Sequence, residues 1–219
     1  MNILAIDTAT EYCSAALFAD GDIIETGMGM PRGHSGHILC MVEKVLADGG
    51  MTLNECDAIA FDKGPGSFTG IRIGAGVAQG LAFGKDLLVL PVSSLHALAF
   101  QCDGDYVASA IDARMQQIYW ACFKRTGQNQ FRSLSSETVI QPDAISLEQN
   151  RNWTAIGSGW DSYGETIKNK FPGIEIDVVS GRYPHAKDVA LIAARVFTDG
   201  GAIAPELGFP EYIRNNVTN

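Results

Sequence analysis

Long apolar runs are missing from this chain. Nowhere in its 219 residues do about 18 apolar positions follow one another, so no membrane-spanning helix is expected. Cations are few and scattered, 16 Lys and Arg against 25 Asp and Glu, for a formal charge of −9. Neutralising nucleic-acid phosphates takes clustered Lys and Arg, so the chain is not expected to grip nucleic acid by itself. Cysteine pairs are absent too. Cys13, Cys40, Cys56, Cys102 and Cys122 contain no C-x-x-C, and their number is odd. That excludes a disulfide frame and a zinc knuckle and points to a reducing compartment, the cytoplasm. Cys13 and Cys122 lie in apolar runs and read as small core residues.

Several catalytic signatures are also missing. There is no H-E-x-x-H and no G-x-S-x-G. His34 and His37 stand three apart beside a helix start, but no further ligand is visible near them, so no metal site is expected. The N-terminal apolar stretch is short and broken by Asp7, without a basic flank, and reads as a first strand and not a signal peptide.

What is present is a globular composition, 46% hydrophobic and 19% charged, enough for one large domain or two small ones. Strands are expected at 2–7, 13–18 and 22–28, with a tight Asp-Gly turn at 20–21. A helix over 35–48 places Ile38, Met41, Val42 and Val45 on one face. A strand at 57–61, a helix at 69–84, a strand at 86–90 and a short helix at 94–101 follow.

The second half then restarts. "AIDTATEYCSAALF" (5–18) and "AIDARMQQIYWACF" (110–123) both open on Ala-Ile-Asp and close on Phe, 105 positions apart. Strands at 153–157 and 174–179 and helices at 160–170 and 185–198 repeat the order of the first half. This predicts an α/β duplication in two lobes, 1–102 and 105–219, joined by the polar "CDGD" near 102–105. Residues 199–219, rich in Gly, Pro and Asn, are expected to pack as an extended arm.

Between the strand at 57–61 and the helix at 69–84 lies "GPGSFTGIRIG" (64–74). It lacks the Walker A lysine, and its glycines space as G-x-G-x-x-x-G and not G-x-G-x-x-G. A helix N-terminus can still meet an anion, and Ser67 or Thr69 can cap it as well. Asp7, Thr8 and Thr10, at a strand-to-hairpin turn, are a second candidate phosphate loop, or a local turn held by side-chain bonds. At the repeated position Asp112 is followed by Ala113 and Arg114, without the hydroxyls, which counts against an independent ATPase.

Inside the helix, Gly70, Gly74 and Ala78 recur every four residues, as do Gly76 and Gly80. An interior glycine costs about 1 kcal/mol relative to alanine. Small residues at this spacing let two backbones come close, either within the chain or across to a partner.

"ILAIDTAT", "GPGSFTGIRIG", "AIDARMQQIYW" and the terminal "PEYIRNNV" together resemble the TsaB (YeaZ) family along essentially the whole chain. The resemblance implies a duplicated actin/Hsp70-like (ASKHA), ribonuclease H-like fold. It implies a subunit without catalytic or metal-binding residues, required for the threonylcarbamoyl group on N6 of the tRNA adenosine beside the anticodon. It would bind and activate the catalytic TsaD together with TsaE, meet tRNA only indirectly, and form a homodimer when TsaD is absent. No tightly bound cofactor is implied, and ATP or ADP would lie at the interface with TsaD. The two helices of the first lobe would make that interface, through His37, Met41, Lys44 and Val45 of one and Ser67, Phe68, Ile71, Arg72, Gly74, Ala75 and Ala78 at the other. The competing class is an autonomous enzyme of the same fold group, a nucleotide-dependent phosphotransferase or a metallopeptidase.

Overall fold

A strand covered on both faces reads as an unbroken apolar run, and β1 (Asn2–Asp7) is one: every residue after Asn2 is buried. In the computed structural model, which describes residues 1–213, β1 is the centre of a five-stranded sheet. The terminal motif therefore falls partly outside the described residues, from Arg214 onward. β2 (Tyr12–Ala19) and β3 (Asp22–Gly29) add antiparallel on one side, with Ala5 opposite Ala16. β4 (Ala58–Gly64) and β5 (Leu88–Ser93) add parallel on the other, giving the order β3-β2-β1-β4-β5.

Side chains alternate along a strand, so two faces of this sheet need cover. Leu4 and Ile6 pack with Leu17, Ile59 and Phe61 beneath α1 (His34–Asp48) and α2 (Phe68–Phe83), which supply Ile38, Val45, Ala75 and Ala78. Ile3 and Ala5, pointing the other way, are also fully buried. Their cover includes α5 (Ala186–Thr198), which packs on β1, β2, β4 and β5.

The entry of α5 is tied down by side chains distant in sequence. Ala186 N–H donates to Ser14 Oγ (2.9 Å), and Lys187 N–H to Glu25 Oε1 (3.1 Å). His185 stacks on Tyr12 with ring centroids 4.2 Å apart, and its Nδ1 lies 3.3 Å from Glu25 Oε2. A carboxylate at the N-terminus also meets the positive end of the helix dipole. Ser14→Ala leaves a buried N–H without its acceptor and is expected to cost about 1–2 kcal/mol in denaturant unfolding.

The second sheet starts with α3 (Ser94–Phe100) behind it in sequence. β6 (Tyr106–Asp112) is its centre, with β7 (Ile118–Gly127) and β8 (Gln130–Ser133) antiparallel on one side. β9 (Thr138–Ile140) pairs with β7. β10 (Trp153–Ile156) and β11 (Ile176–Val179) lie parallel on the other side of β6, for the order β11-β10-β6-β7-β8. With β9 set aside, both sheets have one order by position in each half, with the first three strands antiparallel and the last two parallel. That shared order is the duplication expected of an actin/Hsp70-like α/β fold. The second core gathers Trp120, Trp153 and Trp160 under α4 (Ser158–Lys170), and Trp160 Nε1 donates to the Ala108 carbonyl at 2.8 Å.

The chain divides differently from the expected 1–102 and 105–219. One unit holds Met1–Ala97 and Pro184–Glu211; the other holds Leu98–Tyr183 with Tyr212 and Ile213. The reason is α5, whose apolar face belongs to the first sheet. The arm after it stays with that unit: Ile203 bridges to Val89, Gln79 Nε2 donates to the Pro205 carbonyl (2.9 Å), and Glu211 N–H donates to the Lys63 carbonyl (2.8 Å). Burial pushes the thiols of Cys13 and Cys56 up to about 11 and those of Cys102 and Cys122 up to about 12; Cys40 is exposed. Among the described residues no helix is long and apolar enough to cross a membrane.

Candidate functional site

The glycine loop turns β4 into α2, and its glycines admit this chain's own backbone. Ser67 caps the helix, its Oγ accepting from Gly70 N–H at 3.4 Å. Ser67 N–H donates to the Ala9 carbonyl (2.7 Å), and Thr8 Oγ1 donates to the Gly70 carbonyl (2.7 Å). A methyl group on Gly66 would run into the Ala9 carbonyl, and one on Gly70 into the Thr8 carbonyl; at Gly74 it would stand 2.8 Å from Thr8 Oγ1. The β1–β2 turn is therefore seated directly on the first turns of α2.

Under that turn lie two buried carboxyls on neighbouring strands. Asp7 ends β1, and its Oδ1 accepts from Ala9 N–H at 2.9 Å. Asp62, on β4, accepts at Oδ1 from Gly64 N–H (2.8 Å) and from Ser94 Oγ (2.5 Å). Burial first, then the charge of Asp62 beside it, raises Asp7 well above the ordinary carboxylate range. Asp112, at the repeated position, makes the same turn with Arg114 N–H (2.8 Å) but has the Arg114 guanidinium at 3.2 Å as its partner.

These residues do not fit a phosphate. Thr8 Oγ1 is engaged with Gly70, and the loop's Gly64, Ser67 and Gly70 amides already have acceptors; the Thr10 carbonyl accepts from His34 Nε2 (2.8 Å), while the buried Thr10 hydroxyl has no hydrogen-bond partner. An added anion would sit beside two carboxyls in a dry site. Asp7 and Thr8 hold the turn through bonds to Ala9 and Gly70. His34 is buried by its bond to Thr10, whereas His37 is exposed, so burial separates that pair.

Comparison with known proteins places this architecture. A family model described as TsaD, tRNA N6-adenosine threonylcarbamoyltransferase, matches residues 29–218. The tRNA threonylcarbamoyladenosine biosynthesis protein TsaB of Escherichia coli is 38% identical over 99% of this chain and 96% of its own length. Its namesake from Haemophilus influenzae is 38% identical over 100% of this chain and 95% of its own. The chain belongs to the TsaB (YeaZ) family. The solved YeaZ of Pseudomonas aeruginosa superposes with a TM-score of 0.89 at 37% identity, covering 96% of this chain and 99% of that one.

For a TsaB-family chain the next question is which helix side chains point outward. The structure corrects more than half of the expected interface. Met41 and Val45 of α1, and Ile71, Gly74, Ala75 and Ala78 of α2, are buried in the first unit's own core or against the β1–β2 turn. They hold the helices onto the sheet and leave nothing for a partner. His37, Lys44, Ser67, Phe68 and Arg72 are exposed. Lys44 Nζ pairs with Asp48 Oδ2 at 2.8 Å, and the Arg72 guanidinium stacks 3.4 Å above the Phe68 ring.

The outward face of α2 also carries Gly76 and Gly80, with nothing within 4 Å of where their side chains would be. Phe83, at 58% exposed, ends that face, and Leu39, at 50%, is exposed on α1. These four were absent from the expected interface. The second glycine series was visible as spacing; Phe83 and Leu39 were readable as apolar residues off the buried stripe. An uncovered apolar and glycine-lined helix face is the feature most suited to close helix-to-helix contact.

Proposed function

We propose that this chain serves formation of N6-threonylcarbamoyladenosine in tRNA, as the non-catalytic partner of TsaD. The reading rests on one observation, end-to-end likeness to proteins named for that biosynthesis. In it, the exposed face of α1 and α2 is the docking surface for TsaD, or for a second copy of this chain when TsaD is absent. TsaE joins the assembly, tRNA is met only indirectly, and the work is cytoplasmic. Any ATP or ADP at the TsaD interface would be held outside the filled Asp7 turn.

A second reading has one observation in its favour: the matching family model carries a transferase description. One assay decides between them. Purified TsaD, TsaE and this chain, with threonylcarbamoyl-adenylate and tRNA lacking the modification, are expected to form product. Omitting this chain should lower the rate at least a hundredfold, and this chain alone should give none. Full-rate modification without it would end the proposal; product from the chain alone would establish the transferase reading.

A further inference from the structure

Two buried carboxyls side by side on neighbouring strands present a problem of electron pairs. Asp7 Oδ2 is fully enclosed and meets no N–H or O–H donor. Its neighbour on the next strand is the buried carboxyl of Asp62, because Ile6 and Phe61, the preceding residues, are in register on parallel strands. Two ionised carboxylates have only acceptor oxygens, so a bond between them needs a proton. Like charges at adjacent positions in a dry site cannot both ionise.

The geometry points to a single proton held between Asp7 and Asp62, whose O–H···O bond is a latch fixing the β1–β2 turn beneath the N-terminus of α2. The latch is linked to α2 by a short series of bonds. Asp7 Oδ1 holds Ala9 N–H, the Ala9 carbonyl holds Ser67 N–H, and Thr8 Oγ1 holds the Gly70 carbonyl. On the other strand, Ser94 and Gly64 donate to Asp62 Oδ1 and orient its carboxyl. Losing the proton leaves two anions facing one another under the helix that carries Phe68 and Arg72. The inference stands whether or not that helix meets a partner.

The elements packed around the pair carry other titratable groups. β2 carries Tyr12 and Cys13, both raised first by burial. β3 carries Glu25, which adds to the rise at Asp7. His34 is on α1, and α5 brings His185 and Asp188. Burial lowers His96 of α3 to about 4, so it is neutral above that.

The direction of the pH dependence follows from Asp7 being raised in the fold. Its protonated form stabilises the fold fully below the unfolded value of 3.8, and that contribution is lost as pH rises through the folded value. Inside this window the pair makes the unfolding constant rise about tenfold per pH unit.

Two measurements test this. Infrared spectra of the wild-type chain at pH 7 are expected to show a protonated-carboxyl band, lost in Asp7→Asn. Guanidinium unfolding between pH 4.5 and 8 is expected to show the Asp7→Asn slope shallower by about tenfold per pH unit, since the amide donates to Asp62 at every pH. A wild-type spectrum without that band would overturn the latch even if the variant failed to fold. So would a band that persists in a folded Asp7→Asn, or equal pH slopes for the two chains.

Discussion

Gly70→Ala is expected to destabilise the first unit by about 2–4 kcal/mol, while Gly76→Ala, six residues along the same helix, stabilises it by up to about 1 kcal/mol. The chemistry of the two changes is identical. At Gly70 the new methyl meets the Thr8 carbonyl, a backbone atom that can yield only if the β1–β2 turn lifts. Lifting it breaks the Thr8–Gly70 and Ser67–Ala9 hydrogen bonds, each worth about 1 kcal/mol. At Gly76 the methyl enters open space, and only the helix propensity of alanine remains. For a chain of this length these figures correspond to a fall of roughly 4–16 °C in Tm at Gly70 and a rise of up to about 4 °C at Gly76. Thermal unfolding of both variants checks the claim. Equal effects at the two positions would mean that the glycines are not doing the separate jobs assigned to them.

That contrast also marks where reading the sequence stops. The two glycine series share one spacing, and period alone cannot say which series faces inward. The answer comes from Thr8 and Ala9, which lie about sixty positions earlier and reach α2 only through the topology. Asp62 was overlooked for a related reason. The strand was expected to end at Phe61, where its apolar run ends, and a charged residue such as Asp62 is seldom fully buried. β4 in fact continues to Gly64, and Asp62 is buried because Asp7 and Ser94 receive it. The helical period of α5 was legible to within a residue, but no local feature says which sheet a helix will cover. What was legible was the repeat. Asp7 and Asp112, aligned by 105 positions, end the central strands of two sheets with one strand order. Their differing partners, a carboxyl in one half and a guanidinium in the other, were beyond it.

Gly76→Leu is expected to leave the fold intact and to weaken docking of TsaD, and pairing of this chain with itself, by about thirtyfold or more. Leucine at Gly76 meets nothing within the chain, so the unfolding midpoint should stay within about 2 °C of wild type. What it alters is the distance at which another helix can lie. Gly76 and Gly80 leave a shallow strip between Phe68 and Arg72 at one end and Phe83 at the other. A branched side chain in the strip holds a partner backbone away and separates it from those aromatic anchors. Losing contacts of that class costs about 2–4 kcal/mol, and 1.4 kcal/mol is tenfold in affinity. Gly74→Leu cannot serve the same purpose, because that position faces Thr8 and the variant would lose its fold before its partner. Titration of TsaD with wild type, Gly76→Leu and a control on the other unit, Glu165→Ala, separates the cases. If Gly76→Leu binds TsaD as wild type does while Phe68→Ala does not, docking uses the helix end and not the strip. If both bind normally, the outward face of α2 is not the docking surface, and the stacked Arg72 and Phe68 need another explanation.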